Sequence, residues 1–235
     1  MNTTGGVQVF TRDLSKILQD KGYEVQIISQ ESLREVRERD LEKAVGEEFN
    51  RVNKRENFDV VVCNGEYGYS VDHPKAINIF HGNYYGYAMS VKDLVEPSVT
   101  NERLEKVDLQ RKSAKGKYVV TVSDFATKGL ENSEIKVNQI IKNSVDPDKF
   151  YPVEMPVMDH VIAAARGMYY EKGLDTILKL AEKGVKIKLF SDIELDSSNI
   201  DNRDFIENGE LNREYNQAKM LIFPSRFEGG QRSIF

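Results

Sequence analysis

The sequence is poor in the residues that mark a stapled, metal-bound or membrane-spanning chain. Its 235 residues include one cysteine, Cys63, so an internal disulfide framework is excluded and a reducing compartment suits the chain. No apolar run approaches the roughly 18 residues of a transmembrane helix, and no signal-peptide pattern is visible, so a soluble, cytoplasmic protein is expected. Basic charge is not in excess either. The 33 Lys and Arg against 38 Asp and Glu leave a net charge of -5. With a pI near 5.4, the basic field of a general nucleic-acid binder is missing. Neither zinc-ligand spacing nor a Ser/His/Asp set nor a Walker glycine loop appears, and no cofactor is expected. Repeats and low-complexity tracts are absent as well.

What is present is an alternation of strand and helix patterns. Hydrophobic residues make up 40% of the chain, enough to furnish the core of one large or two small domains. Val7, Phe10, Leu14, Ile17 and Leu18 keep helical spacing, Gly22 ends that helix, and Val25 to Ser29 reads as a short buried strand. The charged stretch 31–57 suggests helices with a narrow apolar stripe. Asp59 to Cys63, Ala76 to Phe80, Tyr118 to Val122 and Val137 to Ile141 read as buried parallel strands. Between them stand a charged helix at 101–115 and a short one from Asp124, capped by Ser123 or Asp124 itself. Pro147, Pro152 and Pro156 then break regular structure and mark a connector. Val161 to Ala165, Lys186 to Phe190 and Met220 to Phe223 are the strands of a second series, with helices at Gly173 to Lys183 and Leu211 to Ala218. The expectation is an α/β chain of two Rossmann-like parallel-sheet domains. The first covers 1–145, a linker 146–158, and a partial second domain 159–235.

Chemistry concentrates after strand ends. Residues 219–231 run from an apolar strand through Pro224-Ser225 to Glu228-Gly229-Gly230, placing an acid and bare backbone in the crevice where open α/β sheets bind ligands. Gly5-Gly6 opens a helix whose N–H groups suit a phosphate or a sugar edge. Arg166 and Lys172 flank a strand-to-helix loop, as needed to stabilise a leaving diphosphate. His81 follows a strand and precedes a loop rich in Gly and Tyr, where an imidazole suits a sugar hydroxyl and the rings a pyranose face. His73, beside Pro74, is expected to be an exposed loop residue, and His160 matches no motif. Asp146-Pro-Asp148 fits a metal-binding Asp-x-Asp pattern but lies in the proline-rich connector rather than at a strand end. Arg111, Lys112, Lys115 and Lys117 form a small basic cluster that would suit an anionic lipid acceptor but reads first as solvated helix surface.

Four segments in register carry a resemblance. Gly5-Gly6, Asn143-Ser-Val-Asp-Pro-Asp-Lys-Phe150, Ala165-Arg-Gly-Met-Tyr-Tyr-Glu-Lys-Gly-Leu174 and Pro224-Ser-Arg-Phe-Glu-Gly229 resemble, in order, motifs of retaining glycosyltransferases of family 4, which have the two-Rossmann-domain (GT-B) fold. The resemblance implies transfer of a sugar from a nucleotide diphosphate-sugar to a hydroxyl of a carbohydrate or lipid-linked acceptor, with retention. It implies His81 and Glu228 as catalytic residues. Gly5, Gly6, Arg166, Lys172, Glu228, Gly229 and Gly230 would contact the donor. Two departures stand out: the loop at Arg166 is one residue longer than the motif, and Ala165 replaces its glycine. Counting seven residues from Glu228 reaches Phe235, where the chain stops short of the family's second glutamate. The first strand and part of the second domain are likewise expected to be missing. The alternatives are a non-catalytic or truncated fragment with weak donor binding and, behind it, a sugar-nucleotide epimerase. Peripheral membrane contact and a homo-oligomer are compatible with the composition; nucleic acid is not.

Overall fold

Parallel strands followed by helices need long crossovers, and the chain spends its length that way. The structure is a computed structural model and describes residues 6–33, 40–165, 169–204, 206 and 208–229. It divides into two compact units, one of Met1–Ala88 with Ser98–Asn143, the other of Met89–Pro97 with Ser144–Phe235.

In the first unit, β1 (Val61–Asn64), β2 (Ala76–Phe80), β3 (Tyr118–Thr121) and β4 (Gln139–Ile140) form a parallel sheet in that order. Alternation along each strand sends residues to opposite faces. On one face Phe49 of α2 (Leu41–Glu56) packs with Cys63. Ala114 of α4 (Pro97–Ala114) and Leu130 of α5 (Asp124–Glu131) close over Phe80 and Val119. On the other face Phe10 of α1 (Gly6–Asp20) packs against Ile79, Val120 and Val122, although no residue of α1 is fully buried. Ser123 caps α5, its side chain accepting the Ala126 N–H at 3.0 Å. Asn78, fully buried in mid-sheet, donates from Nδ2 to Gly65 O (2.9 Å) and Ser113 O (3.0 Å), tying β2 to the turn after β1 and to α4.

In the second unit, β5 (Val161–Ala164), β6 (Ile187–Phe190) and β7 (Ile200–Arg203) form a parallel sheet, and Leu221 adds a parallel bridge to Ile162 on the free side of β5. Its core joins Ala163, Ile187, Leu189 and Ile200 to Ile177 and Ala181 of α6 (Leu174–Glu182). α7 (Asn208–Gln217) holds the segment after Asp148 by side-chain amides. Asn212 Oδ1 accepts the Tyr151 N–H (3.1 Å) and Asn216 Oδ1 the Val153 N–H (2.7 Å).

Four segments differ from the sequence reading. Val25 to Ser29 forms no ladder with a described strand, although Ile28 packs with Phe49, Cys63 and Val71. Met220 to Phe223 makes one bridge rather than a full strand. The Gly- and Tyr-rich stretch after His81 contains a helix, α3 (Tyr84–Val91), because Asn83 Oδ1 accepts the Gly86 N–H and starts it. β7 is a strand of polar sequence, Ile200-Asp-Asn-Arg, with no apolar pattern to mark it. Asn202 makes it fit by exchanging two hydrogen bonds with the Leu195 backbone.

Candidate functional site

The two loops that carry the motif residues of the second unit leave neighbouring parallel chain segments at the same end. One follows β5 and the other follows the Leu221 bridge, so both lie outside carboxyl strand ends. The first passes through a 3-10 turn at Tyr170–Lys172 and enters α6 through Gly173, whose φ of +81° lies in the left-handed region. A Cβ on Gly173 would stand 2.5 Å from Pro224 O, so the two loops touch at a point that admits only glycine.

Four residues past Pro224, the Glu228 carboxylate accepts a hydrogen bond from Lys172 Nζ, and both side chains are three-quarters shielded from solvent. The predicted diphosphate cation and the predicted sugar acid therefore meet. Gly229 is buried beside them. Arg166 and Gly230 lie outside the described residues, as does Gly5.

Arg226, which the motifs did not single out, binds the same pair of loops. Its backbone N–H donates to Glu171 O (2.8 Å), Nη1 to Tyr170 O (2.7 Å) and Nη2 to Asp175 Oδ2 (2.9 Å). Nη1 also stands 2.8 Å from Asp175 Oδ1 as an ion-pair contact. The hydrogen bond from Arg226, with its charge and that of Lys179, holds the Asp175 carboxyl below its ordinary range. A signal was present in the sequence: a cation two residues before Glu228.

In the first unit, His81 stands just past the end of β2, beside Asn64 at the end of β1. Thr11 Oγ1 donates to Val7 O (2.9 Å) and accepts from Asn64 Nδ2 (2.9 Å), which turns Asn64 Oδ1 toward His81 Nε2 at 3.2 Å. Since that oxygen only accepts, the ring is protonated on Nε2 and Nδ1 is its acceptor when neutral. The edge-on Phe10 ring, 4.7 Å away between centroids, fixes the imidazole plane. Gly6 begins α1, and a side chain there would meet open space.

His73 is half-buried rather than exposed, because Nε2 lies 2.9 Å from Phe58 O and Nδ1 accepts the Lys75 N–H at 3.1 Å. Asp146 works within its turn, accepting the Asp148 N–H at 3.0 Å and pairing with Lys149 at 2.9 Å. No cluster of three or more His, Cys, Asp or Glu is placed to hold a metal among the described residues. In the basic cluster, Arg111 donates to Ser133 O (2.8 Å), Lys112 pairs with Asp108 (2.6 Å) and Lys117 Nζ donates to Lys115 O (3.4 Å), so three of its four cations have local partners. A shallow cavity of about 560 Å³ lies along α7, lined by Tyr151, Val153, Asn212 and Arg213 among others, and none of the predicted site residues borders it. Among the described residues no helix is long and apolar enough to cross a membrane.

No protein-family profile matches the chain, and no curated protein sequence does. Solved structures do. A sucrose-phosphate synthase from Thermosynechococcus elongatus superposes with a TM-score of 0.75 at 13% identity, over 98% of this chain and 72% of that one. The protein TarM aligns with a TM-score of 0.49 at 13% identity, over 74% of this chain and 38% of its own. At that identity the first likeness is one of fold: the chain has the α/β architecture of two Rossmann-like parallel-sheet units found in the sucrose-phosphate synthase.

Proposed function

We propose that the protein is a glycosyltransferase that takes a sugar from a nucleotide diphosphate-sugar and places it on an acceptor hydroxyl with retention of configuration. The observation that carries this reading is the Lys172–Glu228 pair, held at the carboxyl ends of neighbouring parallel segments. The shared fold with a sucrose-phosphate synthase supports it.

In this reading the donor replaces each member of the pair for the other. Lys172 turns its charge to the diphosphate, assisted by Arg166, and Glu228 accepts hydroxyls of the sugar, assisted by the bare backbone of Gly229 and Gly230. Transfer breaks the bond between the anomeric carbon and the phosphate oxygen while the acceptor oxygen bonds the same face. The acceptor proton passes to the departing phosphate oxygen. Negative charge grows on the diphosphate as it leaves, so a fixed cation lowers the barrier without a dedicated base. Gly5 and Gly6 at the start of α1 are assigned to the donor diphosphate or the acceptor. His81 is assigned to a sugar hydroxyl, with Asn64 and Phe10 fixing the ring.

The test is a thermal-shift screen with UDP, GDP, ADP and their sugars, followed by NMR of the anomeric proton of the released or transferred sugar. Stabilisation by one diphosphate series and a first product with the anomeric configuration of the donor are expected. No shift with any series, or an inverted product, would overturn the proposal.

A further inference from the structure

We propose that Arg226 is a positioning residue that locks the loop of Lys172 to the loop of Glu228 and thereby sets the affinity for the donor diphosphate. The inference rests on the donor-site reading above and adds to it the part that makes the site rigid.

Pro224, Arg226 and Glu228 stand at alternate positions of one short segment that bends at Arg226. All three meet the same opposing loop. Pro224 abuts Gly173, Arg226 grips Tyr170, Glu171 and Asp175, and Glu228 pairs with Lys172. The gripped residues bracket Lys172, two lying before it and one after it. One planar guanidinium thus fixes both flanks of the residue assigned to the phosphate, while its own charge is neutralised by Asp175. Arg226 is itself about a quarter exposed, as is Asp175, so water competes for every one of these contacts once the fork is cut.

A lysine at this position would keep the charge but lose the fork, because an ammonium cannot hold a carboxylate and a carbonyl in one plane. Displacing a positioned cation by about 1 Å costs a binding or transfer step roughly tenfold to a hundredfold.

The experiment compares the full chain with Arg226→Met, Arg226→Lys, Asp175→Asn and Lys172→Met. Two readouts are used: hydrogen exchange of peptides covering 169–176 and 222–229, and calorimetric affinity for UDP, GDP and ADP over a range of salt. Arg226→Met is expected to speed exchange in both peptides and to weaken the bound nucleotide about tenfold or more, with an unchanged slope of affinity against salt. Lys172→Met, by removing a direct phosphate contact, should flatten that slope. Arg226→Lys and Asp175→Asn should fall between wild type and Arg226→Met, and either keeps the test usable if Arg226→Met does not fold. Unchanged exchange in all three lock variants would overturn the proposal. So would a flattened salt slope in Arg226→Met or Arg226→Lys, which would make Arg226 a direct ligand. If the wild-type chain binds none of the three nucleotides, the donor-site reading fails and the lock is decided by exchange alone.

Discussion

Lys172 and Glu228, 56 residues apart in sequence, share a hydrogen bond in a partly buried site. Removing one takes a charged hydrogen-bond partner from the other's partly buried side chain, whereas removing both leaves neither. Lys172→Met and Glu228→Gln should each destabilise the chain by about 1 kcal/mol, and the double variant by clearly less than the sum. Urea denaturation of the four proteins checks this. Strict additivity would mean that the contact carries no coupling.

Gly173→Ala should be much worse than Gly184→Ala, although both glycines have φ near +80°. At Gly184 a Cβ meets nothing within 4 Å, so only the left-handed strain is felt, about 1 kcal/mol. At Gly173 the added carbon collides with Pro224 O and the proline ring, raising the cost to about 3 kcal/mol or more. Melting temperatures resolve the two. Equal losses would show that the loops do not touch at Pro224.

Asp175 sets a pH dependence. Its folded carboxyl titrates below the usual value, chiefly because Arg226 donates to it. The ionised form is therefore favoured by folding. That stability is complete above the unfolded carboxylate value of about 3.9 and is lost as pH falls through the lower folded value. Asp175→Asn should flatten the acid limb of stability against pH while leaving the limb above neutrality in place. An identical acid limb would remove Asp175 from the acid response.

Cys63 should be chemically silent. Burial pushes its thiol up to about 11, only partly offset by Lys117, so at pH 8 almost none is thiolate. An aromatic disulfide reagent is expected to react at the rate of unfolding, and fast labelling of the native chain would contradict the buried assignment. Because folding raises this value, the thiol's contribution to stability is complete below the unfolded value of about 8.5 and declines as pH rises toward 11.

The fold was legible where the sequence alternates between apolar runs and glycine breaks. β2 was read with its exact ends, and β1, β3, β5, β6, α4 and α5 to within a few residues, since their burial follows from side-chain character alone. It was illegible where polar side chains do the folding. β7 is joined through Asn202, and α3 starts from Asn83, and neither residue advertises this in a periodicity. Val25 to Ser29 failed in the opposite sense, having strand character but no paired neighbour among the described residues. At the candidate site, Lys172 and Glu228 could be named from motif spacing, but their meeting could not. The role of Arg226 is not legible in the sequence because its partners Tyr170 and Asp175 come close only once two chain segments have been set side by side.

The most direct measurement is calorimetric titration of UDP, GDP and ADP into the chain and its Lys172→Ala variant, with the matching monophosphates as controls. If Lys172 is the diphosphate cation, one diphosphate binds the wild type more tightly than its monophosphate, and Lys172→Ala costs that ligand about 1.5 to 3 kcal/mol while sparing the monophosphate. Equal affinity of wild type and variant for the bound diphosphate would contradict the donor site.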